Sequence, residues 1–136
     1  MTNNNADTAA LIRQDGTPED VVMVLSTIPD TNLAKRIVHL LVEESLVACA
    51  HIGQPVTSMY VWDGELDGGE EIPVSFKTTA TVLPKLYDRY LELHPFDVPE
   101  FLIQPVVAGN ISYLRWVQEM TLTPVINKCI EIKRKS

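Results

Sequence analysis

Two hydrophobic periods alternate along this chain, and that alternation limits the folds open to it. Residues 21–28, VVMVLSTI, form an unbroken aliphatic run, too short and too unpatterned for an amphipathic helix. Such a run fits a strand buried on both faces. Pro29-Asp30-Thr31 interrupts it. Asp30 or Thr31 can cap a helix there by accepting from its free N–H groups. Ala34, Ile37, Val38, Leu41 and Val42 then recur at three and four residues, the buried face of a helix over 32–46. Lys35, Arg36, His39 and Glu43 fall around the other side.

The strand pattern returns over 47–62, interrupted by Gly53-Gln54-Pro55. Pro55 cannot donate a ladder hydrogen bond, so it marks a bulge, bend or edge. Two strands, or one long bent strand, both fit. Residues 63–71 hold three glycines and five acids, which suits a hairpin tip before the strand 72–78. Thr81 is placed to cap a second helix through Leu93, with Pro84 tolerated in its first turn. Leu83, Leu86, Tyr90 and Leu93 give that helix one apolar face, and His94-Pro95 ends it. Phe101–Val107 reads as a further strand, and Asn110 can cap a short third helix carrying Tyr113, Trp116 and Val117. Residues 121–132 fit a last strand or an irregular tail.

The resulting order, β-α-β-β-α-β with an extra C-terminal helix, is the α+β ferredoxin-like arrangement, an antiparallel sheet with both helices on one face. The apolar strands around 56–62 and 72–78 exceed what two short helices can cover. Exposed edges of this kind invite another chain, so a homo-oligomer with the second sheet face at a subunit contact is expected. A chain of 136 residues suits one domain. It divides into a flexible N-terminal segment (1–20), the domain (21–120) and a C-terminal tail (121–136).

The net charge of −7 excludes whole-molecule attraction to nucleic acid or to an anionic membrane, and favours cations. Only the tail is basic, with Lys128, Lys133, Arg134 and Lys135 against Glu131. The N-terminus lacks the charged and apolar regions of a secretory signal, and no stretch approaches the ~20 apolar residues of a membrane span. A cytoplasmic location is therefore expected. Cys49 and Cys129 cannot build a disulfide framework.

Seven pieces of sequence, in order, resemble the CutA family of divalent cation tolerance proteins. They are Pro29, Leu46–Ala50, Ser58–Gly64, Phe76–Thr78, His94–Glu100, Gly109-Asn110 and Tyr113–Trp116. The resemblance spans roughly 21–120. It implies a ferredoxin-like homotrimer, an association with copper and other divalent cations, no established catalytic activity, and kinship in architecture with the trimeric PII signalling proteins. This chain departs from the family at three places. Ser26 stands where some members carry a cysteine considered a copper ligand, and a hydroxyl is a poor substitute for a soft thiolate. Phe96 replaces the more usual tyrosine, and Gly53-Gln54-Pro55 rearranges a bend.

Candidate chemistry concentrates in His94-Pro95-Phe96-Asp97-Val98-Pro99-Glu100. Two prolines hold a rigid corner, so His94, Asp97 and Glu100 form a candidate site for Cu²⁺ or another divalent metal if all three converge. The plain alternative is a helix-ending corner in which His94 meets free carbonyls and Glu100 pairs across a subunit contact. The acids at 63, 65 and 67 half-resemble a calcium loop, but Val74 stands where its bidentate glutamate belongs, and a strand follows. Cys49 and His51 share one strand face, as a packed pair or a weak metal contact. Lys77, Glu100 and Tyr113 are the polar groups expected in a small-ligand cleft between subunits, the arrangement of a PII-like effector-binding trimer. No serine elbow, Walker loop or dinucleotide fingerprint is present, and no organic cofactor is expected.

Overall fold

The computed structural model describes residues 10–122. Its first long strand, β2 (Val21–Ile28), buries Val22, Val24, Ser26 and Ile28 on one face and leaves Met23, Leu25 and Thr27 half-covered on the other. Burial on both faces is thus not completed among the described residues. Helix α1 (Thr31–Glu43) starts at Asp30, whose carboxylate accepts from the N–H groups of Asn32 and Leu33 at 3.0 and 3.3 Å. It ends three residues before the periodicity does. Ser45 adopts a left-handed conformation (φ 63°), and Leu46 N–H returns to the Leu41 carbonyl. This is a Schellman stop made without glycine.

Strands β3 (Cys49–Ile52), β4 (Val56–Trp62) and β5 (Glu65–Thr79) settle the alternatives over 47–78. Both β3 and β4 pair antiparallel with the single long β5. Ile52 faces Val74 and Val56 faces Glu71, so Gly53-Gln54-Pro55 stands against only Ile72 and Pro73. The interruption is a bulge with one extra residue. The turn of the β4–β5 hairpin is Asp63-Gly64 alone, with φ of 53° and 80°. Positive φ at both residues matches the type I′ geometry of two-residue hairpins. The segment expected as a glycine-rich acidic tip is therefore mostly strand, and Glu65–Glu71 belongs to β5. Gly68 permits the pairing, because a Cβ there would overlap the Ser58 carbonyl oxygen.

Helix α2 (Leu83–Leu93) follows a 3-10 turn over Ala80–Val82. Pro84 lies in its first turn as expected, but Thr81 does not cap it. The Thr81 hydroxyl donates to the Pro18 carbonyl at 2.8 Å and ties down the preceding loop. After α2 come β6 (Leu102–Pro105), β7 (Ala108–Asn110) and α3 (Ile111–Leu122). The strand expected over 101–107 is the shorter β6, and β7 is an additional strand beyond it. Asn110 ends β7, and its side-chain amide donates to Ser112 Oγ at 3.3 Å.

The main sheet has the order β3-β5-β2-β6, the ferredoxin-like topology. Val24, Ile28, Val74 and Phe76 meet Ala34, Ile37, Leu41, Leu86 and Tyr90 in the core beneath α1 and α2. Arg89 clamps the two helices from outside with a bidentate bond to Glu44 at 2.9 and 2.8 Å. A second cluster packs Leu114 and Val117 of α3 on Val21 and Ala48. Val21 belongs to the opposite alternation from Val22 and Val24, so α3 covers one end of the face that α1 and α2 leave open.

Leu11–Arg13 forms β1, paired antiparallel with β7. Gln14 extends this link. Its side-chain amide accepts from Val21 N–H at 2.7 Å and donates to the Val21 and Val106 carbonyls at 2.9 and 2.6 Å. Cys129 and the basic residues of the tail lie outside the described residues.

Candidate functional site

The corner 94–100 hangs between the end of α2 and β6, under the β4–β5 arm. His94 is buried. Its Nε2 lies 2.8 Å from the Thr27 carbonyl oxygen, which can only accept, so Nε2 carries the proton. Nδ1 then accepts from the Phe96 N–H at 3.1 Å. Both ring nitrogens are spent on backbone, and no lone pair is left for a metal. His94 ends the helix through its backbone, N–H to the Tyr90 carbonyl at 2.8 Å, while its ring ties the corner to β2 and not to the helix carbonyls.

Beneath the corner, Ser26 Oγ lies 2.6 Å from both the Tyr90 hydroxyl and the Glu100 carbonyl oxygen. The carbonyl must accept, so Ser26 donates to it and Tyr90 donates to Ser26. Burial pushes the Tyr90 phenol up to about 12, opposed by the Ser26 hydrogen bond and reinforced by the charge of Glu100. Ser26 is therefore a buried brace joining β2, α2 and the corner.

Above these braces lies a cavity of about 560 Å³. Asp97 and Glu100 line it from the corner, and Asp67 and Glu71 from β5. Tyr60, Trp62 and Phe96 supply aromatic walls. Thr27 holds one side by donating to Glu71 at 3.2 Å. Register explains the convergence. Tyr60 stands directly opposite Asp67, and alternate residues on each strand share a face. All four charged groups lining the cavity are carboxylates.

Asp97 and Glu100 thus reach one cavity, while His94 lies below it with both nitrogens occupied. Among the described residues, no three His, Cys, Asp or Glu side chains gather closely enough to hold a metal ion. Lys77, Glu100 and Tyr113 do not converge within one subunit. Lys77 lies on β5 with Nζ 3.4 Å from His51 Nδ1, and Tyr113 packs with Trp116 beside Val21. Glu100 is at the Ser26 end of β2, five strand residues from Val21 and three from Met23, the partner of Lys77, or about 16 and about 10 Å along the strand at ~3.3 Å per residue. Cys49 and His51 share a face, Cys49 opposite Lys77 and His51 opposite Ser75. Asp67 and Glu71 do not read as wall residues in the sequence, because three neighbouring glycines favour a turn. Their period-two spacing was the available signal.

Fold and cavity together describe a ferredoxin-like α+β protein with an acidic, aromatic-walled recess and no helix among the described residues long and apolar enough to cross a membrane. Residues 22–120 match the family model of the CutA1 divalent ion tolerance protein. The chain is 42% identical over 103 residues to the divalent-cation tolerance protein CutA of Thermus thermophilus, covering 76% of this chain and 98% of that protein. It is 35% identical over 104 residues to human protein CutA, covering 76% of this chain but only 58% of the human protein. Among solved structures, CutA from Synechococcus elongatus PCC7942 superposes with a TM-score of 0.77 at 30% identity, over 85% of this chain and 98% of that one. The chain belongs to the CutA1 divalent ion tolerance family.

Proposed function

We propose that this protein serves divalent-cation tolerance as a cytoplasmic homotrimer, and that copper or another divalent cation is met by the carboxylates of the cavity. The carrying observation is the lining itself: Asp67, Glu71, Asp97 and Glu100 face one recess with no lysine or arginine among them. Such a recess concentrates cations and repels small anions. That disfavours an anionic effector at this site. The role needs no catalysis and no organic cofactor. With His94 occupied, ligation falls to oxygen donors, Asp97 and Glu100 foremost.

The trimer is supported by surface that a single subunit leaves bare. Met59, Val61 and Leu66, on the face of the β4–β5 arm turned away from the recess, are each about 70% exposed, and β6, the sheet edge among the described residues, carries exposed Leu102 and Ile103. Sedimentation equilibrium is expected to give three times the subunit mass. A stable monomer at micromolar concentration would overturn this. Calorimetric titration of metal-free protein with Cu²⁺ is expected to saturate, and to weaken at least tenfold in the double variant Asp97→Asn/Glu100→Gln. Absence of saturable heat, or affinity unchanged in that variant, rules out the cavity as the metal contact.

A further inference from the structure

Metal tolerance explains the carboxylates of the cavity but not its rings. Tyr60, Trp62 and Phe96 are 46%, 70% and 44% exposed, and all three border the acidic recess. A strongly hydrated metal ion gains little from an aromatic wall. An organic ammonium gains twice, from the ring faces and from the carboxylates. Size points the same way. The recess of about 560 Å³ lies within the ~300–1,000 Å³ range of small-molecule pockets.

The spacing of charge is the third observation. Asp67 and Glu71 are four residues apart on one strand, about 13 Å at ~3.3 Å per residue. One ion cannot bridge them, and no three donor side chains gather for a metal among the described residues. Carboxylates spread along a ring-lined recess suit a ligand whose charges are likewise spread and joined by apolar links. We propose that this cavity binds an aliphatic polyamine, its methylenes against Tyr60, Trp62 and Phe96 and its ammonium groups paired with Glu71, Asp97 and Asp67. This goes beyond metal tolerance and does not depend on it.

The test is calorimetric titration of the full-length protein with spermidine at fixed ionic strength. Saturable binding is expected, at least tenfold weaker in Trp62→Leu and at least tenfold weaker in Asp97→Asn. Asp97 lies in an exposed corner, so that variant keeps the test valid if Trp62→Leu fails to fold or assemble. The uncharged analogue 1,6-hexanediol is expected not to bind. Unsaturable heat, equal binding of Mg²⁺ at matched ionic strength, or unchanged spermidine affinity in Asp97→Asn would overturn the proposal. The Cu²⁺ titration is a separate arm, so loss of the metal reading leaves the polyamine result standing, and the reverse.

Discussion

The Ser26–Tyr90 pair offers a test whose sign follows from counting protons. Ser26 has one hydroxyl proton, committed to the Glu100 carbonyl, and its oxygen accepts from Tyr90. Both residues are buried, Tyr90 completely. Tyr90→Phe removes a donor and leaves Ser26 still bonded to Glu100. The loss is one net hydrogen bond, about 1 kcal/mol. Ser26→Ala is worse, because it strands the Tyr90 O–H and deprives the Glu100 carbonyl of its donor. A stranded buried group costs about 1–3 kcal/mol, so this variant loses about 3 kcal/mol. In the double variant the stranded phenol no longer exists. Only the Glu100 carbonyl is left short, for a loss of about 2 kcal/mol. The double variant should therefore be about 2 kcal/mol more stable than the sum of the single losses predicts.

The assay is urea unfolding of the four proteins at one protein concentration, since assembly makes apparent stability depend on concentration. Equal m-values are needed for the comparison. Additivity within ~0.5 kcal/mol would refute the assigned proton directions. So would a Tyr90→Phe loss larger than that of Ser26→Ala.

Two further outcomes rest on single features. The Tyr90 phenol ionises near 10 when unfolded and about 12 when folded, so the stability it holds is whole below pH 10 and lost as pH rises towards 12. That is about 3 kcal/mol at ~1.4 kcal/mol per pH unit, and urea midpoints across pH 9–12 should fall more steeply for wild type than for Tyr90→Phe; parallel curves would contradict it. Gly68→Ala should cost about 2 kcal/mol because its Cβ meets the Ser58 carbonyl, whereas Gly69→Ala, with open space around it, should cost under ~0.5 kcal/mol. Equal losses in thermal or urea unfolding would show that the β4–β5 pairing is not this tight.

What could be read before the structure depended on how local the cause was. Asp30 precedes a strongly periodic helix, so its capping role was visible, as were Pro84 in the first turn of α2 and the break at His94-Pro95. Thr81 looked equally suitable as a cap, but its hydroxyl partner, Pro18, lies 63 residues away. No window along the chain contains that competitor. Gln14 shows the same limit, since its amide completes a ladder with Val21 and Val106 that only the folded topology creates. The arm hides its strand character for another reason. Five acids and three glycines are poor strand formers taken singly, yet pairing with β4 overrides that preference.

The same distinction bears on the cavity. Sequence spacing placed His94, Asp97 and Glu100 in one rigid corner, and the corner exists. Whether a side chain there can bind anything depends on what its atoms already hold. His94 spends both nitrogens fixing Thr27 and Phe96, and Ser26 spends its hydroxyl fixing Glu100 and Tyr90. These two residues hold the backbone from which Asp97 and Glu100 project. The borderline imidazole donor is thereby withdrawn from the recess, and hard oxygens and aromatic faces are left to line it. A thiolate at position 26 would bring a soft donor back to this buried brace, at the cost of the strong donor that the Glu100 carbonyl now receives. In this chain Ser26 therefore leaves the corner without a soft donor, and the recess above it is lined by carboxylates and rings.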